Sequence, residues 1–519
     1  MKFTLYTIKN SLILFIFISF FASGQQIEVN WGPVTKADDR SQPDKIIGKD
    51  ATGFYILKYG KHAIIEKYSN DLQLVFSKEL VVYVEKNKKA DFENIYLLKD
   101  KIILFSSYYD KQNNRKNLFA SYVSKDGIVD LKLYQVAFFE NQEKGKDISF
   151  DISLANDSSR ILIFSDLREK GKDKERFHYK IIDETFHEYI QTYIELPYQG
   201  ANVAITDYQV DINNNIHMLY WLNLKKESKT GSVSENESLA SNYYLMSFYG
   251  QTKETKIYDL RVGDNVISGI DMVLDAENKY LYIPGFYSEK SENAIKGTFI
   301  TKIDIANKNV VYDKERALST EFLALFYKNP ERANHKTKDL YNYDTRFIYV
   351  TNEGELFSVS EQYYVYTTSY YVPTQTGGYY VTVHHYVYNH LIALKYNAEG
   401  DLAWTAKVPK YQYTTNDGGF YSSVATFGYN GKIFMIYNDN PKNGADIEAT
   451  SVMSSPLKSQ SVIVSIDKDG KIEKNILFKE QDRESILRPK FTIQLSNNEV
   501  VIYAVRGKNY HYGKLKLSN

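Results

Sequence analysis

The chain has no cysteine. Disulfides, thiolate metal sites, cysteine nucleophiles and the lipid-modified cysteine of a bacterial lipoprotein are therefore excluded. Stability must come from the core alone, and 519 residues are enough to build one. Net charge is also missing: 64 Lys and Arg balance 64 Asp and Glu, so no global field draws nucleic acid or an anionic membrane. Long apolar runs are absent except near the start, at residues 12–21. Lys2 and Lys9 precede that run and Ala22, Ser23 and Gly24 follow it, the layout of a secretory signal peptide over residues 1–24. A membrane-spanning helix needs about 20 apolar residues, so an uncleaved anchor is the lesser reading. The expectation is an exported chain, periplasmic or associated with a bacterial cell surface, with no membrane span in its mature part.

Catalytic signatures are missing as well. There is no GxSxG nucleophile elbow and no phosphate-binding P-loop. Phe186-His187-Glu188 begins like a zinc-protease helix, but Gln191 stands where the second histidine is required. DINNN at 211–215 has the oxygen spacing of a calcium loop without its glycine or distal glutamate, and reads as an Asx-rich turn. His384, His385 and His390 lie on a strand pattern that sends neighbours to opposite faces, so they read as exposed strand histidines and no metal site is expected. The Ser-x-Asp-x-Gly-x-x-Trp box of sialidase-like propellers is absent, and WD40 and kelch signatures do not recur. No cofactor is implied. The 46 tyrosines accompany abundant Lys, Asn, Ile and Phe, a joint excess that biased codon usage explains.

What is present is a repeat. A short apolar strand, a polar turn and a second apolar strand recur eight times, with turns near residues 51, 99, 156, 213, 276, 353, 430 and 497. Between copies lies a second hairpin, such as HLIALKYNAEGDLAWTAKV or SVIVSIDKDGKIEKNILF, whose Glu-Gly or Asp-Gly supplies the positive φ of a tight turn. Two hairpins per unit make a four-stranded antiparallel sheet, and eight such sheets in series predict an all-β propeller over residues 25–519. Seven blades with one irregular unit is the alternative. The first hairpin of each unit is the more apolar, as expected of inner strands. The eighth unit ends one strand short, and IEVNWGP at 27–33 supplies the missing outer strand and closes the ring.

Four long segments interrupt the pattern: 225–241, 318–344, 365–385 and 440–460. Three connect the second and third strands of a blade and one joins blades five and six, so all four decorate one face, where binding loops of a rigid scaffold would sit. The first is a Ser, Lys and Glu-rich loop, and the second contains a short helix capped by Ser319 or Thr320. The third belongs to EQYYVYTTSYYVPTQTGGYYVTVHHYVYNH, which is either a simple hairpin extension or a binding surface.

The predicted strand ends converge on that face at Glu361, Gln362 and Tyr363, at Gln412, Asn416, Asp417 and Tyr421, and at Tyr437, Asn438, Asp439 and Asn440. These are the candidate ligand-binding residues; the competing reading is that they lock the junction of blades six and seven. Here the segments EQYY, AWTAKVPKYQ, NDGGFYSS and YNDNPKN resemble a group of exported bacterial propeller-like proteins, mainly over residues 355–445. That group carries no assigned activity, so the resemblance implies the place of a site and leaves its chemistry open. The leading expectation is an envelope interaction module that binds a protein or polysaccharide. An enzyme would be a glycan hydrolase or lyase pairing Glu361 with Asp417 or Asp439 as acid and base. A third reading is a structural protein whose hairpin pairs with a neighbour by strand addition.

Overall fold

The computed structural model describes residues 27–517 apart from 37–40, 86, 141–148, 156, 167–173, 200–202, 224–240, 290–293, 327–339 and 480–484. The signal peptide read over 1–24 and all but Ser241 of the 225–241 insertion lie outside the described residues. Among those described, no helix is long and apolar enough to cross a membrane.

The chain is a β-propeller of eight antiparallel sheets in sequence order. Blade one is Ser41–Asp50, Gly53–Gly60, Ile64–Ser69 and Leu74–Glu79, called strands a to d from the inside out. Blade two is Asp91–Leu98, Lys101–Asp110, Arg115–Val123 and Tyr134–Glu140. Blade three is Asp151–Leu154, Ile161–Asp166, Lys174–Ile182 and Glu188–Gln199. Blade four is Val203–Val210, Ile216–Asn223, Ser241–Tyr249 and Glu254–Leu260. Blade five splits its inner strand into Val266–Ile270 and Val273–Leu274, followed by Tyr280–Ser288, Ile295–Asp304 and Asn309–Ala317. Blade six is Tyr343–Val350, Leu356–Thr374, Gly377–Tyr396 and Leu402–Val408. Blade seven is Ala425–Tyr429, Lys432–Asp439, Gln460–Ile466 and Ile472–Phe478. In blade eight, Ile486–Leu487 and Ile493–Ser496 precede Glu499–Arg506 and Asn509–Leu517.

The outer strand of blade eight is Ile27–Trp31, which runs antiparallel to Asn509–Leu517 from Ile27 opposite Leu517 to Trp31 opposite Gly513. Trp31 stacks on His511 at 4.2 Å and packs over Gly513, where a Cβ would lie 2.7 Å from the indole. The closing strand therefore docks by side-chain contact as well as by hydrogen bonds.

Among the described residues no apolar cluster gathers at the centre of the ring. Apolar side chains instead fill the gaps between successive blades, one cluster per gap. Phe164, Phe177 and Tyr179 of blade three meet Met218 and Tyr220 of blade four. Phe54 and Tyr68 of blade one meet Tyr503 and Tyr512 of blade eight, which completes the circuit. Burial peaks on strands b and c, where both edges are paired and both faces are covered. Strand b of blade seven is buried at every position after its first. In blade four strand a is only half-buried, so the burial of that first hairpin lies mainly in its second strand. The DINNN turn closes as an Asx turn, with Asp211 Oδ1 accepting from the backbone N–H groups of Asn213 and Asn215.

A bulge recurs in the inner strands, where one residue is passed over in the pairing: Asp44, Glu93, Thr206, Ser268 and Arg346 in blades one, two, four, five and six. A bulge bends its strand and re-aims side chains. In blades four and five it accompanies two carboxylates, Asp207 and Asp271, that share a neighbourhood bridged by Gln209. Its Nε2 donates to Met272 O at 2.7 Å, and its Oε1 accepts from Leu274 N at 3.2 Å. Burial, reinforced by the Asp271 charge, pushes Asp207 up to about 7.

Removing Ile27–Trp31 would expose strand c of blade eight as an open edge. The shortened protein is expected to melt at a lower temperature and to self-associate, as read by calorimetry and light scattering; unchanged melting of a monodisperse sample would show that the ring does not need this strand. A second expectation concerns Asp207. Its folded pKa lies above the unfolded value of about 4, so the native state holds an extra proton between about 4 and 7. Stability is then highest below that window and is lost as pH rises through it. Asp207→Asn should flatten that part of the urea-unfolding profile, and an unaltered slope would assign it to other groups.

Candidate functional site

Strands b and c of blade six do not stop at the edge of the ring. They continue as a two-stranded ribbon paired from Tyr363 opposite Tyr388 to Thr374 opposite Gly377, so the 365–385 insertion is a hairpin extension. At its exit the pairing shifts: Glu361 faces Leu391 while Tyr363 faces Tyr388, passing over Gln362 on one strand and Asn389 and His390 on the other. The passed-over residues satisfy one another, with Asn389 Nδ2 donating to Gln362 Oε1 at 3.2 Å and Gln362 Nε2 donating to Tyr341 O at 3.1 Å. His390, expected on an exposed face, is buried against Tyr411 at 4.2 Å and Phe326 at 5.6 Å. The extra residue in this bulge shifts the face alternation, and burial then holds the imidazole well below its usual pKa.

Below the exit, Glu361 is fully buried in a polar knot. Its Oε1 lies 2.7 Å from the Lys410 ammonium, and its Oε2 accepts from Arg346 Nε at 2.8 Å and from Ser423 Oγ at 2.6 Å. Arg346 is the residue passed over in strand a, and the bulge turns it toward strand b. Lys410, also buried, donates to Tyr388 O and to Gln412 Oε1, each at 3.0 Å. Burial pulls the Lys410 pKa below its ordinary value and the Glu361 charge opposes that shift. Gln412 Oε1 accepts from Ser423 N at 2.7 Å and its Nε2 donates to Asn438 O at 2.8 Å. Asn438 Nδ2 donates to Tyr421 O at 2.9 Å and to Leu487 O at 2.7 Å, reaching blade eight, while its Oδ1 accepts from Ser461 Oγ at 3.0 Å. Tyr437 is buried with its hydroxyl 3.3 Å from Pro409 O.

The remaining candidates are also engaged. Asp417 Oδ1 accepts from Thr414 Oγ1 at 2.6 Å and from Gly419 N at 2.8 Å. Gly419 has φ +61° and a Cβ there would lie 2.6 Å from the Tyr388 ring, so this turn requires glycine. Asp439 Oδ2 lies 2.9 Å from the buried Lys474 ammonium, and its Oδ1 accepts from Asn443 Nδ2 at 2.7 Å. Asn440 caps the turn Pro441–Asn443 by accepting from Lys442 N. The 440–460 insertion then folds back, and Met453 exchanges backbone hydrogen bonds with Tyr411 and Tyr413. The structure thus joins Glu361, Gln412 and Asn438 in one network and gives Asp417 and Asp439 partners of their own. Arg346 and Ser423 complete the network and Lys474 pairs with Asp439; none of the three was singled out in the sequence. Lys410 and Ser423 do fall within the VPKYQ and NDGGFYSS segments.

Chemically, the knot is an arrangement for holding strands. Glu361 and Asp439 are each buried against a cation. Ser423 sits at φ +80°, a conformation that a non-glycine residue keeps only where its surroundings dictate it.

The ribbon above the knot is the opposite: exposed, aromatic and uncharged. The link strand Gln412–Thr415 pairs with its base at His385 to Tyr388. On one face the rings of Tyr364, Tyr366, His385 and Tyr413 form a continuous stack, closest between Tyr366 and His385 at 4.4 Å and 5°. His385 Nε2 lies 2.7 Å from Thr368 Oγ1 and its Nδ1 2.7 Å from Tyr413 Oη, so both ring nitrogens are occupied. Toward the tip, Tyr370, Tyr371, Tyr379 and Tyr380 are each more than half exposed.

No family model matches the chain. Protein Ycf2 of Physcomitrium patens is 21% identical over 271 residues, covering 49% of this chain, which spans 11% of that protein's length. The WD40 domain of SCAP from fission yeast is 8% identical over 95% of this chain and 98% of its own, with a TM-score of 0.37. Prolyl oligopeptidase B from Galerina marginata is 9% identical over 90% of this chain and 56% of its own, at 0.36. At these scores the likenesses say nothing of activity, and the propeller assignment rests on the sheet order itself.

Removing Lys410 would strip Glu361 Oε1 of its ammonium while Arg346 still holds Oε2. Lys410→Met is expected to cost up to about 3 kcal/mol in urea unfolding, less than a fully unpaired buried charge would. Adding Glu361→Gln should recover part of that loss, and simple additivity of the two changes would argue against a coupled pair.

Proposed function

We propose that this protein is an exported interaction module of a bacterial cell envelope and that it engages a protein or glycan on the insertion-bearing face. The observation that carries the reading is the tyrosine-rich ribbon of blade six, an exposed surface on a rigid mount. Aromatic side chains offer contact area at low entropic cost and are enriched in binding surfaces. The signal-peptide layout at the N-terminus supports export. The engaged state of Glu361 and Asp439 favours binding over turnover.

The reading is tested by crosslinked co-purification from the native envelope. Intact protein is compared with a variant whose residues 368–378 are replaced by a short glycine-containing turn. Loss of a specific partner, with the melting temperature little changed, is the expected result. Identical recoveries from the two proteins would make the ribbon architectural.

A further inference from the structure

The ribbon has an open edge. Strand a of blade six pairs with strand b only as far as Tyr343 opposite Gln362, and among the described residues no strand continues beside Val365 to Thr374. The direction of the backbone groups there follows from one bond: Tyr363 N donates to Asn342 O at 2.9 Å, on the side of strand a. Backbone groups alternate along a strand, so Val365, Thr367, Ser369 and Tyr371 present N–H and C=O to the same open side. Pro373 has no N–H and ends the run.

Exposed edges normally carry charge to prevent pairing with another chain. Charged residues make up 25% of this chain, yet none occurs from Gln362 to Leu394. We propose that this edge pairs antiparallel with the same edge of a second copy of the chain, about a two-fold axis at Thr368. The proposal rests on reading the ribbon as a contact surface and names the partner.

Two features favour a second copy over a different protein. The first is charge: about a two-fold axis, a charged residue near the centre would face its own copy or a close neighbour. An uncharged edge has no such penalty, whereas partners of another kind are commonly selected by charge complementarity. The second is the pairing itself. With Thr368 opposite its own copy, Thr367 faces Ser369, Tyr366 faces Tyr370 and Val365 faces Tyr371 of the second chain. These are hydroxyl, aromatic and aromatic–β-branched pairs, combinations that stabilise neighbouring strands. Val365 with Tyr371 and Thr367 with Ser369 have their backbone groups turned toward each other, so each pair exchanges two hydrogen bonds. Tyr366, Tyr370 and Tyr371 are 43%, 55% and 51% exposed. Because the strands run antiparallel, the two insertion faces look toward each other.

The test uses the full mature chain in sedimentation velocity over a concentration series. Wild type is expected to reach twice the monomer mass. A Thr367→Lys/Ser369→Lys variant places lysines opposite lysines, and a Thr367→Glu/Ser369→Glu variant places glutamates opposite glutamates. Each alone should return to monomer mass with a native circular-dichroism spectrum, because both positions are exposed. An equimolar mixture of the two should restore the dimer. A wild type that stays monomeric, a dimer indifferent to the Lys variant, or a mixture that fails to pair would each overturn self-pairing. A monomeric wild type that still loses an envelope partner on exchange of 368–378 would overturn self-pairing alone. A dimer restored by the mixture, with envelope recoveries unaffected by that exchange, would support self-pairing and sink the envelope contact.

Discussion

Blade-to-blade packing closed into a ring is the constraint on which the rest of this molecule depends. A single four-stranded blade has two faces to cover, and here one is covered by the preceding blade and the other by the following one. Only the first and last blades have neighbours distant in the chain. They meet through Phe54 and Tyr68 on one side and Tyr503 and Tyr512 on the other. The strand Ile27–Trp31 then completes the last sheet from the opposite end of the chain. Opening the ring would expose two faces and one edge at once, so closure is cooperative with every interface in between.

The knot around Glu361 meets a different need at one point on that ring. Strand b of blade six leaves the body there, and its direction must be fixed where neighbouring blades no longer flank it. Apolar contacts tolerate sliding, whereas ion pairs and hydrogen bonds fix register at a cost in desolvation. The knot draws on strand a through Arg346, the link to blade seven through Lys410 and Ser423, and blades seven and eight through Asn438. Three blades are thereby tied to the root of the ribbon.

The architecture was legible because it depends on local patterns repeated eight times. Alternating apolar residues marked the hairpins, polar turns marked their tips, and the missing strand of the last unit pointed to IEVNW. The region of the candidate site was legible too, since strand ends on adjacent blades must converge. Its chemistry was not. Arg346 reaches Glu361 because a bulge re-aims it, and His390 is buried because another bulge shifts the alternation of its strand. A bulge adds one residue without a strong composition signal of its own, and strict alternation then assigns the wrong face. Asp207 and Asp271 are neighbours only through the packing of successive inner strands, which no local pattern records.

The ribbon shows where the ring's stabilising power ends. At its base, the link strand Gln412–Thr415 adds a third strand and the stacked rings of Tyr366, His385 and Tyr413 span all three. Beyond Thr368 and Val383 the described residues supply two strands, and a two-stranded ribbon in water is marginal by itself. Cross-strand contacts such as Tyr371 with Tyr380 at 5.3 Å and Ser369 Oγ with Thr382 Oγ1 at 3.0 Å supply part of what is missing. A further strand along the open edge would supply the rest, covering the unpaired backbone groups and the aromatic side chains beside them. The distal half therefore has most to gain from contact, while the knot and the link strand fix the direction in which it is offered.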